Sequence, residues 1–540
     1  VITNPNGAAT LKGSLDLVHL GNGDKVQNLI LDGGLNGIVG SGIAGANINH
    51  LTIQNSANSG IVLQNTSGTI GLNNLTMTGI GTGPTDNAIT LLNAGAVTVT
   101  SSTINTVSGD GIHSTNTDLT ATNLTIGTTG TVSGDGIEII NTGSQRTVDI
   151  SNNTIVANGS AIKTTDTGVA QELLLTLDGN SLQSNGASVI ALNVTGSGLN
   201  STIIQSMSGG TITGGTGGGA AFGGVTFDGS GRALSGQQVN AGDWTIGTTA
   251  ARVQGDGLRF DNPTGNLQFG ALNIANNNGT GLLVDTKTLG TSFSLGSTSG
   301  SVDTTTGTAL YLDPLTTNLV FDTVKSVGAA NLGVNVDTVT GTLDINNLIV
   351  TNSGLSGAVF NNSANLTTAI QSVNITNAGG DGIALINAGS FEVLGGTIDS
   401  VVSNGINSTD TNLTVSGLNI GATSVGGNGI QITNSGNART VSLTGNTIKS
   451  VGNALMTADS GVSGELLMSL DGNSFESINS LAVNVTGSGL NSTIIQSMNG
   501  GTVVGNGLGG GALFQQVTFD ASGTALSGTQ VAAGDWTIGT

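Results

Sequence analysis

The chain has 540 residues, of which only 8% are charged and 3% aromatic, and its formal net charge is -21. With 11 Lys and Arg residues against 32 Asp and Glu, this balance argues against a nucleic acid or an anionic membrane surface as partner. The lack of cysteine removes disulfides and thiolate metal sites, and the 4 prolines exclude collagen. No apolar run is long enough to span a bilayer, so no membrane insertion is predicted.

A regular pattern begins at Gly37, after residues 1–35, which fit it poorly and are predicted to be an irregular, cap-like start. Four segments begin with a small residue and isoleucine and reach Asn or Asp five positions later: Ala88 to Asn93, Gly111 to Asn116, Gly136 to Asn141 and Ala161 to Asp166. Their starts are 23, 25 and 25 residues apart (88, 111, 136, 161). We therefore expect coils of about 24 residues stacked about 4.8 Å apart. Because Asn tolerates left-handed backbone angles, these Asx residues are predicted to form a ladder at one corner.

Each coil is predicted to hold three short strands, because apolar residues alternate with Thr, Ser or Asn as in strands with one buried face. In the coil that begins at Gly136, the strands are predicted at 137–140, 148–150 and 153–155. The sequence thus predicts an all-β chain, a β-solenoid of about 20 coils. At strand spacing this gives a rod of roughly 100 Å.

Residues 167–250 depart from the short period. The glycine-rich stretch 209–224 is expected to leave the stack as a longer excursion. The rhythm resumes at Gly257 and continues to Ala454. In its last five coils the fifth-position Asx residues are Asn362, Asn387, Asp410, Asn434 and Asp459.

A longer repeat overlies the coils. Residues 193–207 return as 484–498, an offset of 291, and residues 241–248 return as 533–540, an offset of 292. The tripeptide at 146–148 recurs at 439–441, an offset of 293. The chain is therefore divided into a first module, residues 1–250, and a second module, residues 251–540, predicted to be continuous with the first and truncated at its C-terminal end.

The glycine-isoleucine strands, the Asn corners and the coil length near 24 residues resemble the right-handed parallel β-helix of the pectate-lyase-like type. The long module repeat, the Thr/Asn/Gly bias and the lack of cysteine resemble the repetitive surface adhesins and autotransporter passengers of Gram-negative bacteria. This second resemblance implies secretion to the bacterial cell surface. It also implies a rod whose partner is a receptor or glycan on a host or neighbouring cell.

Asp110 and Asp135 form the sharpest candidate site, because each precedes the glycine that begins a coil and the two coils are adjacent. Stacking would bring their carboxylates to roughly 5 Å, a separation that suits a calcium site or a retaining glycosidase pair. The alternative is that both are turn residues. Asn404 and Asn428 occupy the same positions in the second module, which favours the turn interpretation because Asn keeps turn geometry without charge.

The two tryptophans, Trp244 and Trp536, occupy matching positions beside an aspartate and are candidates for stacking on a sugar ring. Their alternative role is to fill the core, which is the more common role of such a residue. The histidines are His19, His50 and His113. The second module carries Asn at the positions of His50 and His113, so surface or corner packing is predicted for them.

We therefore predict a non-catalytic structural or adhesive rod that needs no cofactor or metal. Two alternatives stay open: a carbohydrate-binding or carbohydrate-cleaving β-helix of the tailspike or polysaccharide-lyase kind, and a self-assembling sheath or filament subunit. The last would associate end to end or laterally through unpaired coil edges.

Overall fold

A computed structural model describes residues 2–3, 9–168, 173–197, 201–232, 235–286, 292–435, 438–460, 466–489, 492–506, 510–524 and 527–539. These residues form 55 β-strands and no helix. They make a right-handed parallel β-solenoid of about 19 to 20 turns, which confirms the predicted fold class. None of the described residues belongs to a helix long and apolar enough to cross a membrane.

The chain divides into two compact units. Unit 1 contains residues 1–277 and 283–295, and unit 2 contains residues 278–282 and 296–540. Two strands straddle the division, at Leu282–Asp285 and Phe293–Thr305. The structural division thus falls later in the chain than residue 250, where the long sequence repeat places the end of the first module.

Unit 1 contains two kinds of strand, and each turn contributes to both. One sheet is built from short strands: Val18–His19, Ile38–Ser41, Ile61–Gln64, Ile89–Leu92, Ile112–Thr115, Ile137–Asn141, Ile162–Asp166, Ile190–Thr195, Gly218–Gly223 and Asp256–Asp261. The other strands of unit 1 are Ile2–Thr3, Ala9–Gly13, Asp24–Gly33, Ala44–Gln54, Ser67–Ile80, Ala96–Thr100, Thr103–Val107, Asp118–Thr122, Thr125–Ile126, Arg146–Ser151, Thr154–Ala157, Leu173–Thr176, Asn180–Ser184, Thr202–Ser206, Gly210–Gly214, Val225–Phe227, Val239–Ile246, Val253–Gln254 and Thr264–Asn277.

Unit 2 repeats this arrangement. Its short strands are Leu310–Asp313, Val334–Asp337, Ala358–Asn361, Ile383–Ile386, Ile406–Thr409, Ile430–Asn434, Leu455–Asp459, Val483–Thr486 and Ala512–Gln515. Its other strands are Leu315–Val327, Val339–Thr351, Leu366–Thr376, Ser390–Val393, Gly396–Asp399, Asn412–Ser416, Leu418–Ile420, Arg439–Thr444, Thr447–Ser450, Leu466–Asp471, Asn473–Ser477, Thr493–Ser497, Gly501–Gly505, Val517–Phe519 and Trp536–Ile538.

The strands stack in parallel and in register, so that residues one turn apart in the chain become direct neighbours. Ile112 pairs with Ile137, and Ile137 pairs with Ile162. All three side chains are 0% exposed. Burying each of them stabilises the stack by about 2 kcal/mol, and this repeated burial explains why the small-residue-plus-isoleucine pattern marks each turn.

The predicted Asn ladder forms at Asn93 and Asn116, whose φ angles are 49° and 51°. Nδ2 of Asn116 donates to Oδ1 of Asn93 at 3.3 Å. Asn141 and Asp166 also stack, with Nδ2 of Asn141 donating to Asp166 at 3.2 Å, but both are buried as the last residues of their strands, so the predicted left-handed corner is wrong for them. The strand at Asn141 runs one residue longer, so Thr142 takes its place at the corner, and its N–H donates to Asn116 at 2.7 Å.

The number of strands per turn depends on the corner between the second and third segments. The turn after Ile89–Leu92 has separate strands at Ala96–Thr100 and Thr103–Val107. Elsewhere the two segments join, as in Ser67–Ile80, which passes through Asn74 at a φ of 52° without interruption. Three segments per turn are therefore present, but a left-handed corner residue can keep two of them in one continuous strand.

The expected excursion at 209–224 is wrong, because Gly210–Gly214 and Gly218–Gly223 are both strands of the solenoid. The glycines are needed for close packing, because a Cβ on Gly219 would collide with a methyl group of Ile246. Because glycine has no side chain, the interior at these turns has room for large aromatic rings. Phe222 is 0% exposed, and its ring stacks on that of Phe260 at 5.5 Å.

The long repeat corresponds to a whole number of turns. The strand Ile112–Thr115 of the first copy corresponds to Ile406–Thr409 of the second, since Asp110 and Asn404 precede them in matching positions. Counting short strands from 137–141 to 406–409, namely those that begin at 137, 162, 190, 218, 256, 282, 310, 334, 358, 383 and 406, gives eleven.

Candidate functional site

Five charged side chains of unit 1 gather on the outer face of the short-strand sheet. We call Asp110, His113, Asp135, Glu138 and Lys163 the charged cluster. The strand pairing puts His113 directly beside Glu138, and Glu138 directly beside Lys163. The isoleucines that precede these three residues point inward, so alternation along each strand directs the charged side chains outward.

The imidazole of His113 lies between two carboxylates. Its Nδ1 atom is 3.1 Å from Oδ2 of Asp110 and 2.8 Å from Oε2 of Glu138. The other oxygen of Glu138, Oε1, is 2.7 Å from Nζ of Lys163, which also lies 3.4 Å from Asp135. The carboxylates are only 14% exposed, so these ion pairs are partly shielded from water.

The surroundings shift the pKa values in opposite directions. Hydrogen bonds to Asp110 and Glu138 raise the pKa of His113 to about 9, against the opposing effect of burial. The hydrogen bond from His113 lowers the pKa of Glu138 to about 2. Burial raises the pKa of Asp135, although Lys163 opposes this change. At neutral pH the cluster therefore contains an imidazolium paired with the ionised carboxylate of Glu138.

Asp110 and Asp135 also accept hydrogen bonds from backbone N–H groups of the next turn. Oδ1 of Asp110 accepts a hydrogen bond from the N–H of Asp135 at 2.7 Å, and Oδ1 of Asp135 accepts one from the N–H of Ser160 at 2.6 Å. One turn earlier, Asn87 accepts the N–H of Asp110 in the same way at 2.8 Å. Each of these side chains thus ties its own turn to the next, which is the role expected of a turn residue in a stack.

The second module carries this scaffold with neutral side chains at the five matching positions, although Asp381, one turn earlier, accepts the N–H of Asn404 at 2.8 Å. The residues that correspond to the charged cluster are Asn404, Asn407, Asn428, Gln431 and Met456. Their strands pair in the same register. The N–H of Asn428 donates to Oδ1 of Asn404 at 2.9 Å, as Asp135 does to Asp110. The fold therefore needs an acceptor at these corners but does not need a charge.

Neither Glu138 nor Lys163 was predicted from the sequence, and His113 was predicted to pack at the surface or at a corner. The structure instead places His113 at the centre of the charged cluster. A signal was available, because His113, Glu138 and Lys163 are spaced by 25 residues (113, 138, 163), the same interval that defines these coils. Each is the second residue after the small residue that begins its coil, so stacking alone puts them side by side.

The chemistry open to the cluster follows from the protonation of His113. Its Nε2 atom lies 3.4 Å from Oγ1 of Thr115, an arrangement that resembles a base beside a hydroxyl nucleophile. A general base must be unprotonated, whereas the two carboxylates keep His113 protonated at neutral pH. The geometry therefore favours an ion-pair cluster, or a set of ligands for a cation that replaces the proton, over a nucleophile-activating site.

The two tryptophans differ in exposure. Trp244 is 2% exposed, its Nε1 donates to the carbonyls of Met207 and Ala241 at 2.8 and 3.0 Å, and its ring covers Gly210. A sugar could not stack on this ring without opening the turn. Trp536 makes the matching bond to Met498 at 2.6 Å, but it is only partly buried.

The fold defines the chain as a right-handed parallel β-helix built largely from aliphatic columns and Asx corners. Comparison of the chain with known protein families, with curated proteins and with solved structures found no match.

Proposed function

We propose that this chain is a non-catalytic structural and adhesive segment of a large secreted bacterial cell-surface protein. Its contact surface is repetitive, and the partner is a receptor or glycan on a host or neighbouring cell. The carrying observation is an outward-facing column of hydroxyl side chains in unit 1. We call it the hydroxyl column: Thr52, Thr76, Thr103, Thr125, Thr154, Ser181, Thr211 and Thr245.

The hydroxyl column offers the same hydrogen-bonding group at eight successive turns. Its members alternate along the strands with buried residues such as Ile104, Ile126 and Ile155, and they are exposed or partly exposed. Each hydroxyl contributes little to binding because water competes for it. Many equivalent groups at strand spacing, presented on many copies of the protein, would add through avidity.

The charged cluster supports the non-catalytic part of the proposal. Its carboxylates are engaged with His113, Lys163 and the backbone of the next turn. At the five matching positions the second module has neutral side chains, although Asp381 stands one turn before Asn404 and accepts its N–H at 2.8 Å. The cluster of paired charges is therefore a property of one module.

The test uses beads coated with the chain at graded densities, passed over cultured epithelial cells and over a bacterial lawn. We expect retention that rises more steeply than coating density, whereas albumin-coated beads wash off. Changing Thr76, Thr103, Thr125 and Thr154 to Val removes the hydroxyls but keeps β-branched residues, so retention should fall. Changing the same four to Ser keeps the hydroxyls and should keep retention.

Three results would contradict the proposal. They are retention no higher than that of albumin on both surfaces, equal retention of the Val and Ser variants, and release of oligosaccharides from a polysaccharide incubated with the chain. The last would instead support the carbohydrate-cleaving alternative. Clumping of the beads with one another in buffer would instead support self-association.

A further inference from the structure

Three atoms of the charged cluster converge on one point of the surface. They are Oδ2 of Asp110, Nδ1 of His113 and Oε2 of Glu138, and they lie within 4.8 Å of one another. One imidazole nitrogen and two carboxylate oxygens are a ligand set that suits zinc-like divalent metals, whereas calcium prefers oxygen ligands alone. We propose that Asp110, His113 and Glu138 form a binding site for a divalent transition metal of the zinc class.

The distances fit this assignment. Ligand atoms about 2.1 Å from a tetrahedral metal are separated from one another by about 3.4 Å. Nδ1 of His113 is 3.1 Å from Oδ2 of Asp110 and 2.8 Å from Oε2 of Glu138. An outward movement of a few tenths of an ångström by each side chain therefore opens room for the metal. A three-residue set leaves a fourth position for water or for a group of a partner.

The rest of each side chain is already held in place. The N–H of Asp135 donates to Oδ1 of Asp110 at 2.7 Å, and Nζ of Lys163 donates to Oε1 of Glu138 at 2.7 Å. The second nitrogen of His113, Nε2, lies 3.4 Å from Oγ1 of Thr115. Partners of this kind orient metal ligands and strengthen binding. They leave Oδ2, Nδ1 and Oε2 facing the common point.

The chain itself contains two natural comparisons. In the second module the three ligand positions hold Asn404, Asn407 and Gln431, which lack both the charge and the imidazole. Near the start of unit 1, His19 lies 3.7 Å from Asp16 in the same column, but its neighbour in the next turn is Val39. Among the described residues, only the cluster at His113 brings three ligand atoms of this kind together.

The experiment titrates ZnCl2 into the chelator-treated full chain by calorimetry at pH 8, with Co2+ absorption as an independent readout. We expect one metal per chain. His113→Asn and Glu138→Gln should each weaken binding at least about 100-fold, because each removes a direct ligand and even the loss of a ligand's hydrogen-bond partner costs about 10- to 100-fold. Asn and Gln stand at these positions in the second module, so both variants should fold, which circular dichroism checks. His19→Asn should leave binding unchanged.

A gain-of-site variant completes the test. Asn404→Asp, Asn407→His and Gln431→Glu together rebuild the three ligands in the second module, and the stoichiometry should rise from one to two. The proposal is overturned if the unmodified chain takes up no stoichiometric metal. It is overturned equally if His113→Asn binds as tightly as the parent, or if the triple variant stays at one. None of these results depends on whether the chain is adhesive.

Discussion

The protonation of His113 is a prediction of the structure that can be measured directly. The pKa of His113 rises from 6.5 to about 9 because its imidazolium is paired with Asp110 and Glu138. A rise of about 2.5 corresponds to roughly 3 kcal/mol of preferential stabilisation of the charged form. The lowered pKa of Glu138 arises from the same ion pair, so its free energy is not added to that of His113.

The sign of the effect defines a pH window. The raised pKa of His113 stabilises the fold fully below about 6.5, and this contribution is lost as the pH rises through about 9. The lowered pKa of Glu138 stabilises the fold above about 4.5, and this contribution is lost as the pH falls through about 2. The cluster therefore stabilises unit 1 most strongly between about pH 4.5 and 6.5.

The assay is nuclear magnetic resonance of chain labelled only at histidine, in buffer with chelator to keep metals away. Three histidines give three ring signals, which His19→Asn and His50→Asn assign by elimination. The His113 signal should titrate near pH 9. Glu138→Gln removes one of its two carboxylates and should lower the pKa of His113 by about 1.

Two results would refute this reasoning. One is a His113 signal that titrates at or below pH 6.5, which would mean that burial outweighs both ion pairs. The other is a titration near pH 9 that Glu138→Gln leaves unchanged, which would mean that Glu138 does not contact the ring in solution.

Three further predictions concern stability, measured as the free energy of unfolding in urea. Asn153→Ala should destabilise by roughly 2–4 kcal/mol, since it leaves buried backbone groups of neighbouring turns unpaired, whereas Asn47→Ala at an exposed strand position should cost under about 1 kcal/mol. Trp244→Ala should destabilise by about 3–5 kcal/mol. Trp536→Ala should destabilise clearly less, because its ring is partly exposed. Equal losses of stability would contradict the difference in burial. Gly127→Ala should destabilise by at least about 1 kcal/mol because φ is 69° and the new Cβ would press on a backbone carbonyl; an unchanged stability would contradict that geometry.

The fold could be predicted from the sequence because the same residue pattern recurs in each turn. The isoleucine that follows the small residue packs on the isoleucine at the same position of the next turn. Spacing alone therefore predicts that Ile112, Ile137 and Ile162 stack. Corner positions were less predictable. Asn116 and Asn141 occupy the same place in the pattern, but one extra strand residue turns Asn141 inward, and that length depends on packing within the turn.

The site was only partly predictable for a related reason. Asp110 and Asp135 were found because each precedes a glycine, and their backbone hydrogen bonds match the turn role that Asn404 and Asn428 suggested. The partners Glu138 and Lys163 are recognisable in the sequence only when its coils are aligned with one another, because their significance lies in the residue one turn away. The difference in exposure between Trp244 and Trp536 depends on which strands cover each ring, which local sequence does not reveal.

The whole number of turns in the long repeat has a genetic consequence. Recombination between the two copies of the coding segment would remove or insert eleven turns at once and would join two strands of the same kind at the crossover. Such a chain can lengthen or shorten by large increments while each new junction resembles one that already folds. A duplication that ended partway through a turn would instead place polar residues where the aliphatic interior must continue.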